Sequence, residues 1–152
     1  IPSYNLVSEI FFNWRGMSES GQRQIKCQIY IDVESVKVID EQYIINIEKL
    51  INEELKISYK VSGENNSYIT NILAYVDFIR NYLETNEFID KSRAVIVKIL
   101  SPTDKGIPID IYCFTNKISA VEYGDIQSSI NNFILATIRF FDIKIFQIKL
   151  NN

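Results

Sequence analysis

Three patterns in this 152-residue chain predict an α+β domain: one strand-period alternation, three apolar stripes at helical spacing, and two β-rich runs joined by a turn. The length is that of one ordinary domain, and a hydrophobic content of 47% is enough for a real core.

Along residues 25 to 32, "IKCQIYID", Ile25, Cys27, Ile29 and Ile31 alternate with Lys26, Gln28, Tyr30 and Asp32, the period of a half-buried strand. From Asp40 to about Ile57, Ile44, Ile47, Ile51 and Leu55 recur at helical spacing, with Glu41, Glu48, Lys49 and Glu53 on the other side. The polar stretch "SGENNS" follows, and Thr70 then stands as N-cap to a second helix marked by Ile72, Leu73, Val76, Ile79 and Leu83, ending near Glu84. "RAVIVKIL" and "IPIDIYCFT" read as one hairpin across "SPTDKG", where Pro102 and Gly106 supply the turn. The first run is apolar on both faces, which predicts a central, covered strand over Arg93 to Leu100. A third helical stripe links Ile126, Ile130, Phe133, Ile134, Thr137, Ile138 and Phe141, and "KIFQIKL" closes the chain as a short strand. With the 40–57 helix set apart as an insertion, the order is βαββαβ, the ferredoxin-like arrangement.

Residues 1 to 14 do not belong to that unit and read as the end of a preceding small β domain. The opening "IPSYNLVSEIFF" looks like a cut inside a longer protein.

The chemistry available is narrow. There is no His, which removes Ser/His and Cys/His catalysis and the commonest zinc ligand. Cys27 and Cys113 sit in strand-like apolar runs and are expected as buried, reduced thiols. A net charge of −3, with no two adjacent basic residues, shows no nucleic-acid footprint. No apolar run reaches the roughly 20 residues of a membrane-spanning helix. The acidic pairs Asp40/Glu41 and Glu53/Glu54 read as solvated helix faces. Tyr112 and Phe114, like Phe133 and Phe141, read as core.

The stretch "NWRGMSESG" holds the only Trp and the only Met, between an Arg and two glycines. Gly16 and Gly21 bracket four residues, as in a phosphate loop. However, Gln22 and Arg23 stand where Lys and Ser/Thr would be needed, and a strand follows instead of a helix. Ferredoxin-like phosphatases use an Arg and an Asn on a loop that opens onto a helix, and no such loop is present. No enzyme, cofactor or metal is expected.

Taken in order, "IPSYNLVSEIFFNWRGMSESGQRQIK" through "IYID", "TNILAYVDFIRNYL", "GIPIDIYCFTN", "EYGDIQSSI" and "FFDIKIFQ" resemble the soluble C-terminal region of the small-conductance mechanosensitive channel superfamily, closest to its miniconductance branch. The resemblance covers nearly the whole chain. It implies that residues 1–14 end the β domain beneath a pore helix and that residues 15–24 form a joint. It also implies that residues 25–150 form the ferredoxin-like wall of a cytoplasmic vestibule. The candidate functional residues are those of the joint: Asn13, Trp14, Arg15, Gly16, Met17, Ser18, Glu19, Ser20 and Gly21. The implied partners are other copies of the chain, seven in the full channel, and the inorganic ions and small osmolytes passing through. Nucleic acid is not among them. The implied location is the cytoplasmic face of the bacterial inner membrane, with attachment only through preceding helices, and the implied role is the release of ions and osmolytes on osmotic downshock. Two positions depart from the miniconductance pattern, Ala120 where an aromatic is usual and Gln24 where a second basic residue is usual, so no interaction is carried over there. The alternative reading is a free-standing ferredoxin-like module that binds a small regulatory ligand.

Overall fold

The computed structural model describes residues 22–55, 69–117 and 119–147. Residues 1–14 and the joint residues Asn13 to Gly21 lie outside the described residues, as does the whole polar stretch "SGENNS".

The elements run β1 (Arg23–Ile31), α1 (Glu41–Glu54), α2 (Asn71–Thr85), β2 (Ile96–Ile99), β3 (Ile107–Thr115) and α3 (Ala120–Thr137), with short 3-10 turns at Val33–Ser35 and Ile138–Phe141. The three strands form one antiparallel sheet in the order β1-β3-β2. The fold is therefore a mixed α+β topology, consistent with the ferredoxin-like order plus the extra helix α1. The closing segment contributes one antiparallel bridge, Ile31 to Ile145, flanked by Asp32 N–H to Lys144 O at 2.8 Å and Phe146 N–H to Tyr30 O at 2.8 Å. It thus lies beside β1, the fourth-strand position of the βαββαβ order, although no strand forms across the described part of "KIFQIKL".

The expectation of a central strand over Arg93 to Leu100 is corrected. β2 is a four-residue edge strand, and β3 is the centre. The ladder is cut at both ends. Asp90 N–H already donates to Phe114 O at 2.8 Å, so β3's outer side is occupied there. At the other end Leu100 N–H reaches Pro108 O at 2.9 Å, but proline has no N–H to return the bond. Only Val97 of β2 is buried, and Ile99 is exposed.

Each helix starts at a side-chain cap: Asp40 accepts from Tyr43 N–H, Thr70 from Leu73 N–H, and Ser119 from Glu122 N–H. The Ser119 cap starts α3 six positions before Ile126, where the apolar stripe begins. Phe141 falls beyond the helix, in the 3-10 turn. One face of the sheet carries Ile25, Cys27, Ile31, Val97, Ile109, Ile111 and Cys113, all buried. α2 contributes Ile72, Ala74, Tyr75, Val76, Phe78, Ile79 and Leu83 to the same core, whereas α1 buries only Ile47 and Ile51. Both thiols are free, and burial raises them, Cys113 to about 12.

Candidate interaction surfaces

Two ends of the sheet can be distinguished. At the proximal end β1 begins, directly after the joint residues. At the distal end β1 finishes, next to the N-terminus of α2.

The proximal end ties the start of β1 to two other elements. The Gln22 side-chain amide donates to the Asp90 carboxylate, and the Arg93 guanidinium donates to Gln22 Oε1 at 3.2 Å. Asp90 also accepts from the Ser92 hydroxyl at 2.7 Å and the Ser92 N–H at 2.9 Å, and these bonds hold its carboxyl below the usual carboxylate range. The Arg23 guanidinium lies 3.8 Å from the centroid of the Tyr123 ring, and the Tyr123 hydroxyl donates to Gln24 O at 2.8 Å. The last residues of the 15–24 joint, the first that are described, therefore grip both the loop before β2 and the first turns of α3.

The distal end centres on Asn71, which is fully buried. Its amide donates to Ser35 O at 2.9 Å and Phe141 O at 2.9 Å, while its Oδ1 accepts from Lys37 N–H at 3.0 Å and Ile72 N–H at 3.1 Å. A second, exposed latch lies beside it: Asp142 accepts from Lys37 Nζ at 3.0 Å and from the Tyr43 hydroxyl at 2.8 Å, joining α1 to the turn that follows α3. These bonds lower the Asp142 carboxyl, and burial with the adjoining carboxylate raises the Tyr43 phenol. Asp142 adopts a left-handed backbone with φ 56, and Gly106, at φ 97, passes so close to Ile31 that an added Cβ would meet its carbonyl oxygen at 2.5 Å.

Between the ends, the second sheet face carries no described helix. Cross-strand register places Lys26 opposite Tyr112, Gln28 opposite Asp110 and Lys98 opposite Asp110, with Ile96 beside Tyr112. Tyr30 donates to Gln28 Oε1 at 2.9 Å, and Gln28 donates to Asp110 at 2.6 Å. Tyr112 and Phe114 meet edge to face at 6.3 Å, and Arg93 covers Phe114 at 4.3 Å. The expectation that Tyr112 and Phe114 belong to the core is thus corrected. Both are half-buried on the open face, because the two-residue strand period sets them opposite the buried Ile111 and Cys113. That period was visible in "IDIYCFT", and it was the signal that could have found this face.

The outer side of α3 is a further surface that no other described element covers. From Ile126 to Ile138 the sequence has no charged residue, Val121 and Leu135 are 75% and 56% exposed, and a Cβ at Gly124 would meet nothing within 4 Å. No described helix is long and apolar enough to cross a membrane, and no cluster of three or more His, Cys, Asp or Glu among the described residues is placed to hold a metal ion. The described surfaces therefore offer hydrogen bonds, stacking and apolar contact. No family model matches the chain.

Proposed function

We propose that the chain is the cytoplasmic vestibule domain of a mechanosensitive channel of the small-conductance superfamily, miniconductance branch, acting without enzymatic turnover in the release of ions and osmolytes on osmotic downshock. The observation that supports this most is the tethering of Gln22 and Arg23. A pull arriving through residues 13–21 would load β1, the loop before β2 and α3 together, as a wall element linked to a moving upper domain requires. The ferredoxin-like order and the stretch from Ile126 to Ile138 without a charged residue support the same reading, since a wall built from copies of one chain needs surfaces that neither core nor solvent claims.

In this reading the attachment to the membrane and much of the assembly reside in preceding helices. Separated from them, the chain loses the effective concentration that linkage supplies. It is expected to sediment at micromolar concentration as a monomer or weak low-order oligomer, and a stable heptamer would contradict that expectation. The proposal itself is tested by reading the natural gene upstream of the codon for Ile1. Apolar segments of about 20 residues are expected there, and an initiation codon immediately before Ile1 would overturn it.

A further inference from the structure

A surface cavity of 390 Å³ opens at the proximal end, lined by Asn86, Phe88, Lys117, Glu122, Asp125, Ile126 and Ser129. This volume lies within the range of small-molecule sites. Four of the lining residues, Glu122, Asp125, Ile126 and Ser129, follow the i, i+3, i+4, i+7 pattern that brings one side of α3 to one wall. Ile126 supplies a buried apolar floor, and the Phe88 ring is 45% exposed.

The aromatic wall is held in place before any ligand arrives. Phe88 N–H donates to Asn86 Oδ1 at 2.9 Å, and Phe88 O accepts from the Thr115 hydroxyl at 2.6 Å, which fixes the turn on the end of β3. The electrostatics of the wall are also uneven. Lys117 Nζ lies 4.0 Å from Glu122 and offsets part of its charge, whereas no cation among the described residues pairs with Asp125. The cavity thus combines an exposed ring, an apolar floor and one uncompensated carboxylate. A metal ion would leave the ring and the floor unused, and an anion would be repelled.

We propose that this cavity binds a small organic cation carrying its charge on an apolar, alkylated head, with the head against Phe88 and Ile126 and the charge facing Asp125. The site does not depend on the channel reading, since a free-standing domain would carry it equally.

The test is an NMR titration of the 152-residue chain with choline, beside the uncharged analogue in which a tert-butyl group replaces the trimethylammonium. Choline is expected to give saturable shifts confined to Phe88, Asp125, Ile126 and Ser129, and the uncharged analogue to bind more weakly. Asp125→Asn and Phe88→Leu should each weaken choline by about threefold or more, the scale of a lost cation–aromatic or exposed charge contact. Lys117→Ala, which frees Glu122, should strengthen it. Equal binding of the two probes, shifts without saturation, or unchanged affinity in Asp125→Asn and Phe88→Leu would overturn the proposal.

Discussion

At the distal end of the sheet a single buried amide gathers four backbone groups, whereas at the proximal end half-buried Gln22 and Arg23 and exposed Arg93 hold the start of β1 through an ion-assisted pair and a stacked ring. The two arrangements differ in what their loss costs. This buried amide cannot be removed without leaving its partners unpaired, Phe141 O and Ile72 N–H among them inside the core, so the distal end is firm. The Arg93 contact with Gln22 is exposed and exchanges readily with water, and the remaining proximal contacts lie at the rim of the core, so the proximal end can yield without the core opening. Under the channel reading, the end that yields is the end that receives the joint.

The largest effect is expected from Asn71→Ala. It leaves Ser35 O, Phe141 O and Lys37 N–H without their partner and should cost about 3 kcal/mol in chemical denaturation. A cost below about 1 kcal/mol would mean that water replaces the amide and that the distal end is not the firm one. Next is Tyr75→Phe. The buried Tyr75 hydroxyl donates to Ile134 O at 2.8 Å and lies 3.0 Å from Thr137 Oγ1, and burial raises its phenol. Its removal should cost about 1 kcal/mol, read the same way.

How far the sequence foretold these differences depends on the period involved. The strand alternation of residues 25–32, the Thr70 cap and the apolar faces of α1 and α2 were legible, because each is a local rule that tertiary contacts did not override. The edge position of β2 was not. A run apolar on both faces looks central, but the pairing was decided by Asp90 N–H taking Phe114 O and by the missing N–H of Pro108, neither of which is a property of the run itself. The Asn71 hub was equally hidden, since its four partners come from three separate stretches of chain. Of the proposed site, the joint residues Asn13 to Gly21 were named from the sequence and lie outside the described residues, the open face was carried by the strand period of "IDIYCFT", and the Gln22 and Arg23 tethers emerged only with the register. The Arg23 and Tyr123 pair spans a hundred positions and carries no local signature.

A smaller effect is expected from Arg23→Ala, which removes the guanidinium over the Tyr123 ring. It should lower stability by about 0.5–1 kcal/mol, while hydrogen exchange should quicken at Gln24 and around Tyr123 more than at Ile31. Uniform quickening would erase the distinction between the ends. The smallest effect belongs to the exposed latch. Asp142 is depressed from its ordinary value of 3.8, first through its bond from Lys37 and then through that from Tyr43. A depressed carboxyl contributes stability that is fully present above the ordinary value and is lost as the pH falls through the folded-state value. The Lys37 and Asp142 side chains are 47% and 56% exposed, so solvent screening keeps the contribution under about 0.5 kcal/mol. Asp142→Asn, which keeps a residue tolerant of the left-handed backbone, should flatten that acid-side loss and leave stability near neutrality almost unchanged. An unchanged acid profile would remove the latch from the account.

The most direct test of the channel reading is patch-clamp recording of the natural full-length protein under suction, beside its Arg23→Ala and Asp142→Asn variants at matched surface expression. The account predicts stepwise currents opened by suction, with the opening tension shifted by Arg23→Ala and unmoved by Asp142→Asn. Patches that carry the protein yet give no suction-activated current would contradict it.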